Sequence, residues 1–417
     1  MVEWSEEKWQ ILGVGMKRIY EEVIADHFRE NRQMLFLMGP RQVGKTTLSF
    51  NLREDQERII YYTWDSVAQR EAILDGPDRI AEENELNRLT QQCPLLIFDE
   101  IHKFGNWKIF LKGLYDAYPS LAHILVMGSA RLDVYQRGGD SLMGRYFPYR
   151  IHPLTVGELA MPIVSEECLK QMPRDIGEEA FKDLIQFGGF PDPFLKASSR
   201  FYQQWKRLRL QQLFEEEVRD LTRVQDVDRL EVLAEVVRRQ IGQQTSYASL
   251  SKKLRVTDKT IRDWIALLRS VYYCFEVRPW SKNVAHAILK EPKYYLWDWA
   301  QCEEEGQRAE NMVASHLLKA VHFWNDYGLG EFGLYYVRDK QQREVDFLVV
   351  KNDKPWILVE VKNGSKRLTS SLFHFAQQLN PDYVFQVAFD MPYVDKNSFI
   401  SAQPLVVSAR SFLSQLI

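Results

Sequence analysis

The stretch Leu35-Phe-Leu-Met-Gly39-Pro40-Arg41-Gln42-Val43-Gly44-Lys45-Thr46-Thr47-Leu48 passes from an apolar run through a glycine-bounded turn into a helix-forming segment. Its Gly39-x-x-x-x-Gly44-Lys45-Thr46 spacing fits the phosphate-binding loop pattern without a mismatch, and that pattern requires a strand before it and a helix after it. Glycines let main-chain N–H groups fold around an anion, and the helix beginning at Gly44 turns its positive end toward it. Lys45 supplies a mobile ammonium for β- and γ-phosphates, and the Thr46 hydroxyl can ligate Mg²⁺. Residues 39–47 are therefore the expected nucleotide-binding set, with ATP and Mg²⁺ as cofactors.

Downstream, Cys93-Pro-Leu-Leu-Ile-Phe-Asp99-Glu100 is an unbroken apolar strand ending in two carboxylates. Strands buried on both faces of a parallel sheet read this way, and their carboxyl ends line the ligand crevice. Asp99 is placed to hold Mg²⁺ and Glu100 to polarise an attacking water. Strand-terminal acids also cap helices, but the preceding phosphate loop and the preserved order favour the metal reading. His123-Ile-Leu-Val-Met-Gly128-Ser129 predicts another buried strand. Ser129 can sense a γ-phosphate or cap the next helix, and both readings stand. Helices are expected at residues 19–28 and 78–90, and a short strand at 59–64.

The whole chain bounds these readings. Its 417 residues exceed one ordinary core, and 27% charged with 45% hydrophobic residues describes a folded globular protein. A net charge of −3 excludes a globally basic nucleic-acid binder, so any such surface is a local patch. Cys93, Cys168, Cys274 and Cys302 form no C-x-x-C pair, which argues against structural zinc and a disulfide framework and suits a reducing cytoplasm. No apolar run reaches membrane-spanning length, and the acidic start lacks the features of a secretion signal.

The phrases Gly39-Pro-Arg-Gln-Val-Gly-Lys-Thr-Thr, Asp99-Glu100-Ile-His-Lys, Gly128-Ser129, Gly144-Arg145-Tyr-Phe-Pro-Tyr-Arg-Ile-His-Pro-Leu-Thr-Val-Gly-Glu-Leu and Phe187-Gly-Gly-Phe-Pro-Asp-Pro together resemble the AAA-type ATPases of archaea and prokaryotes. Those proteins carry a C-terminal domain with a restriction-endonuclease-like core. The resemblance covers most of the chain and implies an α/β fold with four parts. These are a P-loop AAA-type ATPase domain over 1–160, a helical lid or linker over 161–225, a winged helix over 226–290 and a nuclease-like α/β domain over 291–417. Where the family usually has Gly-Ser-Ser, this chain has Gly128-Ser129-Ala130, leaving the γ-phosphate sensor one hydroxyl. A guanidinium from a neighbouring subunit can stabilise a transferring phosphate. Arg145 is the candidate, with Arg131 in reserve, and it implies self-association; an ordinary surface salt bridge is the competing reading.

In the middle, helices are expected at 178–186 and 201–222, the second a solvated, charge-dense face or a lid. Residues 246–254 and 257–270 read as two helices across a tight turn, with Thr257-Asp258 capping the second. Residues 271–277 supply a hairpin candidate. Lys252, Lys253, Arg255, Lys259 and Arg262 form the local basic patch, suited to phosphate contacts that position a protein on DNA. Winged helices also serve as protein–protein modules.

In the last part, a helix at 308–318, strands at 334–338, 343–350 and 356–362, a helix at 368–379 and a strand at 383–387 follow in order. This order resembles the PD-(D/E)xK nuclease core, whose motif maps onto Glu310, Asp346, Glu360 and Lys362. Glu360 and Lys362, two apart on a strand, share a face. Three carboxylates, Glu310, Asp346 and Glu360, would make a hard oxygen site for Mg²⁺ or Mn²⁺ that activates water, with Lys362 offsetting oxyanion charge. A Glu-x-Lys strand can equally be an exposed edge with paired charges. The expectation is an ATPase engaging DNA, branched or broken; the rival is a nucleotide-gated switch whose last domain binds a partner without cutting.

Overall fold

The computed structural model describes residues 16–52, 58–86, 93–128, 142–160, 164–165, 167–169, 172–219, 226–281, 291–364, 367–400 and 403–417. It divides into two compact units, Met1–His152 and Pro153–Ile417. Ser129, Ala130 and Arg131 lie outside the described residues.

The first unit is a five-stranded sheet in the order β2-β3-β4-β1-β5, formed by β1 (Met34–Met38), β2 (Ile59–Thr63), β3 (Leu95–Asp99), β4 (His123–Gly128) and β5 (Tyr146–Arg150). All four pairings are parallel. Every residue of β1 and β3 is buried, as their unbroken apolar runs require. Each fully buried Leu, Ile or Phe contributes roughly 1.5–3 kcal/mol, enough to pin β3 although it ends on a desolvated carboxylate. Helices α1 (Ile19–Glu30) and α2 (Lys45–Asn51) fall where expected.

One expected helix differs. The helix expected from residue 78 is short: α4 (Pro77–Glu83) ends in a turn at 84–86, α3 (Val67–Leu74) precedes it, and 87–92 lie outside the described residues. Pro77 opens α4, where its missing N–H costs nothing. The α4 end is held by Asn84, whose amide donates to Ile80 O at 2.8 Å and to the Tyr62 hydroxyl at 2.6 Å. Helix α5 (Trp107–Ala117) was not anticipated; it buries Trp107, Phe110, Leu111 and Leu114 against the sheet cluster that includes Phe36 and Phe98.

The second unit begins with α6 (Val156–Leu159), α7 (Glu178–Phe187), α8 (Pro191–Lys196) and α9 (Ser199–Gln212). The charge-dense helix expected over 201–222 passes into a π-helical turn at Leu213–Val218, and 220–225 lie outside the described residues. Next come α10 (Val227–Arg239), α11 (Tyr247–Leu254) and α12 (Asp258–Ser270). Thr257 caps α12 as expected, its hydroxyl accepting the Thr260 N–H at 3.1 Å.

Strand β6 (Cys274–Pro279) pairs antiparallel with β7 (Lys293–Leu296). The hairpin expected near 271–277 therefore has its second strand beyond residue 290. β6 also pairs parallel with β8 (Phe332–Arg338), so one seven-stranded sheet runs through the boundary expected there. That sheet has the order β12-β11-β10-β9-β8-β6-β7, with β9 (Glu344–Lys351), β10 (Lys354–Lys362), β11 (Tyr383–Ala388) and β12 (Leu405–Ser408). The long α13 (Glu305–Asp326) packs on it and outruns the 308–318 expectation at both ends. Helix α14 (Ser370–Leu379) joins a core of Leu348, Leu358, Leu372, Phe375 and Val384, and α15 (Ala409–Leu413) closes the chain.

Candidate nucleotide site and C-terminal carboxylate cluster

The phosphate loop leaves β1 at Met38 and enters α2 at Lys45. Gly39 packs so closely on the next strand's continuation that a Cβ would stand 2.4 Å from the Ile151 carbonyl oxygen. Gly44 takes φ 94°, a left-handed conformation that glycine adopts without strain. Lys45 is buried, and its ammonium donates to the Gly39 and Pro40 carbonyls at 2.9 and 2.8 Å. The loop's own main chain thus holds the cation that a phosphate would recruit.

Asp99 closes the other side. The Thr46 hydroxyl donates to Asp99 Oδ2 at 3.2 Å, and the Tyr61 hydroxyl from β2 donates to the same oxygen at 2.5 Å. Burial pushes the Asp99 carboxyl above its usual range, and neighbouring Glu100 adds to the rise; the Tyr61 and Thr46 hydrogen bonds and Lys45 offset it only in part. A hydroxyl and an under-compensated carboxylate together suit a hard divalent cation such as Mg²⁺. Tyr61 is raised by burial and by Asp99, so it remains a donor.

Glu100 stands in the left-handed region at φ 55°, ψ 21°, unusual for a residue with a side chain and common at functional sites. Its N–H donates to Met127 O at 3.1 Å, fastening the end of β3 to β4. Its Oε2 lies 3.5 Å from Lys103 Nζ and 3.6 Å from His102 Nε2, yet accepts no hydrogen bond among the described residues. A buried carboxylate oxygen with a spare lone pair is what a base toward water needs.

Two contributors carry no sequence motif. Buried Arg18 donates to the carbonyls of Val43, at 2.9 Å, and His152, at 2.8 Å, tying the phosphate loop to the chain after β5. Glu21 accepts from Asn51 at 3.0 Å, joining α1 to α2. Helix α1 thus packs beside the phosphate-loop helix, and the tether to the loop itself comes from the residue before it.

Arg145 precedes β5 at the end where Tyr146 pairs with Met34, opposite the phosphate loop. Its guanidinium forks onto Asp116, with both contacts at 2.9 Å, and Arg145 in turn holds the Asp116 carboxyl below its usual range. The basic patch is in place: Lys252, Lys253, Arg255, Lys259 and Arg262 are all exposed on α11, the turn and α12, with Arg262 4.5 Å above the Tyr247 ring.

The last domain's motif residues share the neighbourhood of β9, β10 and α13, and their charges reach one another: burial, then Glu310 and Glu360, raise the Asp346 carboxyl well above its usual range. Asp346 Oδ2 accepts the Val361 N–H at 2.8 Å. Glu360 takes Lys362 Nζ on Oε1 at 2.8 Å and the Thr369 hydroxyl on Oε2 at 2.8 Å. Glu310 Oε1 accepts from the Tyr295 hydroxyl at 2.7 Å and lies 3.6 Å from Lys293 Nζ. Among the described residues, no group of three or more His, Cys, Asp or Glu side chains is placed to hold a metal ion. Asp346 and Glu310 thus each engage a protein partner through one carboxylate oxygen, and Glu360 through both.

Lys293 on β7 and Glu344 on β9 were absent from the sequence-based set. Lys293 is 2% exposed, with Nζ 2.6 Å from Glu344 Oε1, while Arg338 reaches Glu344 Oε2 at 2.7 Å. Burial alone would lower the Lys293 pKa, but Glu310, Asp346 and Glu344 together outweigh it and leave it raised. The one available signal is a lysine inside the aromatic run Lys293-Tyr-Tyr-Leu-Trp.

A family model described as an AAA domain matches residues 31–160, and two models described as domains of unknown function (DUF8612 and DUF4143) match 178–302 and 305–398. The chain is 24% identical over 337 residues to an uncharacterised protein of Mycobacterium tuberculosis, covering 78% of this chain and 69% of that one. It is 23% identical over 391 residues to an uncharacterised protein of Methanocaldococcus jannaschii, covering 83% and 80%. A solved Walker-type ATPase of Pyrococcus abyssi is similar at 13% identity and a TM-score of 0.43, covering 69% of this chain and 95% of that one. No helix among the described residues is long and apolar enough to cross a membrane. The AAA-domain match, with the phosphate loop, Thr46 and Asp99 assembled at the carboxyl ends of a parallel sheet, supports an AAA-type ATPase domain in the first unit.

Proposed function

We propose that the protein hydrolyses ATP with Mg²⁺ and couples that cycle to DNA held by the second unit. The observation that carries the first half is Thr46 and Asp99 in hydrogen-bond contact beside the Lys45 loop. Main-chain N–H groups of residues 41–47 cradle the phosphates, and Lys45 moves from its carbonyl cage to the β/γ-phosphates. Thr46 and Asp99 hold Mg²⁺, which when bound neutralises developing phosphate charge. Glu100 takes the proton of the attacking water. Arg145 serves a second copy of the chain only after leaving Asp116, and Ser129 would sense the γ-phosphate.

The second half rests on the exposed basic patch of α11 and α12, read as the DNA face of a winged helix, with branched or broken DNA as substrate. The free thiols, with Cys274 and Cys302 buried, suit a cytoplasmic setting. The test is ATPase activity with duplex, single-stranded and four-way-junction DNA, scoring cleavage in the same tubes with Mg²⁺ and with Mn²⁺. DNA stimulation is expected, and replacing Lys259 and Arg262 by Ala should weaken DNA binding and flatten its logarithmic salt dependence by about 2. Unchanged salt dependence would remove the patch from the reading. A nucleotide-gated switch that binds without cutting is the second reading, favoured by the diverted carboxylates of Asp346 and Glu360; slow turnover with no DNA stimulation would select it.

A further inference from the structure

We propose that the Lys293 ammonium takes the place of a divalent cation in the C-terminal carboxylate cluster, so that this domain binds no catalytic metal and leaves phosphodiester bonds intact. The proposal stands independently of ATP hydrolysis in the first unit.

Three observations lead there. The first is position: Lys293 lies 5.3 Å over the Tyr336 ring of β8 and reaches Glu344 on β9 at 2.6 Å and Glu310 on α13 at 3.6 Å. An ammonium this close to two carboxylates fills the volume in which Mg²⁺ or Mn²⁺ would bind oxygens at about 2.0–2.2 Å with further ligands around it. The second is charge. A buried divalent ion needs several anionic oxygens free to face it, but Glu344 is already shared between Lys293 and Arg338, and Glu360 is paired with Lys362. An ion entering beside Lys293 would also have to compete with its ammonium for Glu344 and Glu310.

The third observation is satisfaction of the acids themselves. Glu310 Oε1 takes the Tyr295 hydroxyl, Asp346 Oδ2 takes the Val361 N–H, and Glu360 Oε2 takes the Thr369 hydroxyl. These contacts come from β7, β10 and the α14 cap, so each carboxylate has at least one oxygen already engaged by the protein. Lysine suits the role as a compact point charge with several donors on one atom.

The experiment counts bound Mn²⁺ by the electron paramagnetic resonance signal of the free ion, using the full chain without nucleotide. An Asp99→Asn background removes the acid of the phosphate-loop site. With Lys293 intact, no Mn²⁺ that depends on Asp346 is expected, so adding Asp346→Asn should leave the count unchanged. Replacing Lys293 by Met, which keeps the bulk and removes the charge, should create one Mn²⁺ site per chain, and Asp346→Asn should abolish it. An equivalent of Mn²⁺ on the Lys293-intact chain that vanishes with Asp346→Asn overturns the proposal. A folded Lys293→Met chain that gains no Mn²⁺ overturns it too, because the ammonium would then not be what keeps the metal out. If Lys293→Met does not fold, the comparison of the Lys293-intact chain with and without Asp346→Asn decides alone.

Discussion

The phosphate loop and the C-terminal carboxylate cluster were read from the sequence by the same means, a short motif on a strand, and they fare differently in the folded chain. The loop is made of main chain. Nine consecutive residues carry the amides, glycines and lysine that matter, so their order nearly dictates their geometry. The cluster is made of side chains from α13, β9 and β10, and their rotamers answer to whatever else the fold brings near. What arrives is Lys293, from a strand 17 residues before Glu310 and 53 before Asp346. A contiguous motif describes its own surroundings; a dispersed one leaves its neighbours unstated.

The sharpest test of the contrast is at the loop. Lys45→Ala should abolish ATP turnover, and Glu100→Gln should lower kcat by about 10²–10⁴-fold while nucleotide binding survives, as measured by steady-state hydrolysis and equilibrium titration. Undiminished hydrolysis by Lys45→Ala would move the nucleotide elsewhere. A smaller effect is expected from Tyr61→Phe, which removes the hydroxyl that bonds Asp99, the carboxylate proposed to hold Mg²⁺, and that also neighbours Thr46. The Mg²⁺ concentration for half-maximal hydrolysis should rise about tenfold, the usual scale for a group that orients a metal ligand. No change would show that Tyr61 serves Asp99 only before nucleotide binds.

The smallest expected effect probes the second unit, which relies on side-chain contacts between residues far apart in sequence. His316 on α13 accepts the Val156 N–H on Nε2 at 3.0 Å and meets Met312 O through Nδ1 at 2.7 Å. Burial is the main cause that pushes its pKa down to about 3, with Lys319 adding to it and the Met312 contact opposing. Folded His316 is therefore neutral where the unfolded residue is protonated. Its stabilising share is complete above about pH 6.5 and is lost as pH falls toward 3, with a slope of up to about 1.4 kcal/mol per pH unit. His316→Gln should flatten the fall of Tm over that range. An unchanged slope would assign the acid sensitivity to other groups.

Much of the fold was legible because its central strands are unbroken apolar runs and several of its helices carry side-chain caps. β1, β3 and β4 needed no context, and Thr257 marked α12 by itself. Helix α5 escaped because no motif announces it. The partner of β6 escaped because the hairpin spans residues 280–292, far longer than a tight turn. At the candidate site, Lys45, Thr46 and Asp99 were legible from spacing. Tyr61 was not, since a tyrosine in a β-rich run reads as packing until the neighbouring strand supplies an acid. Arg18 was equally hidden, because its partners are main-chain carbonyls that any sequence possesses.

Strand β6 is zipped on both sides, to β7 along one edge and to β8 along the other. Because α12 is followed by β6, the exposed basic patch of α11 and α12 is joined through one continuous sheet to β9 and β10.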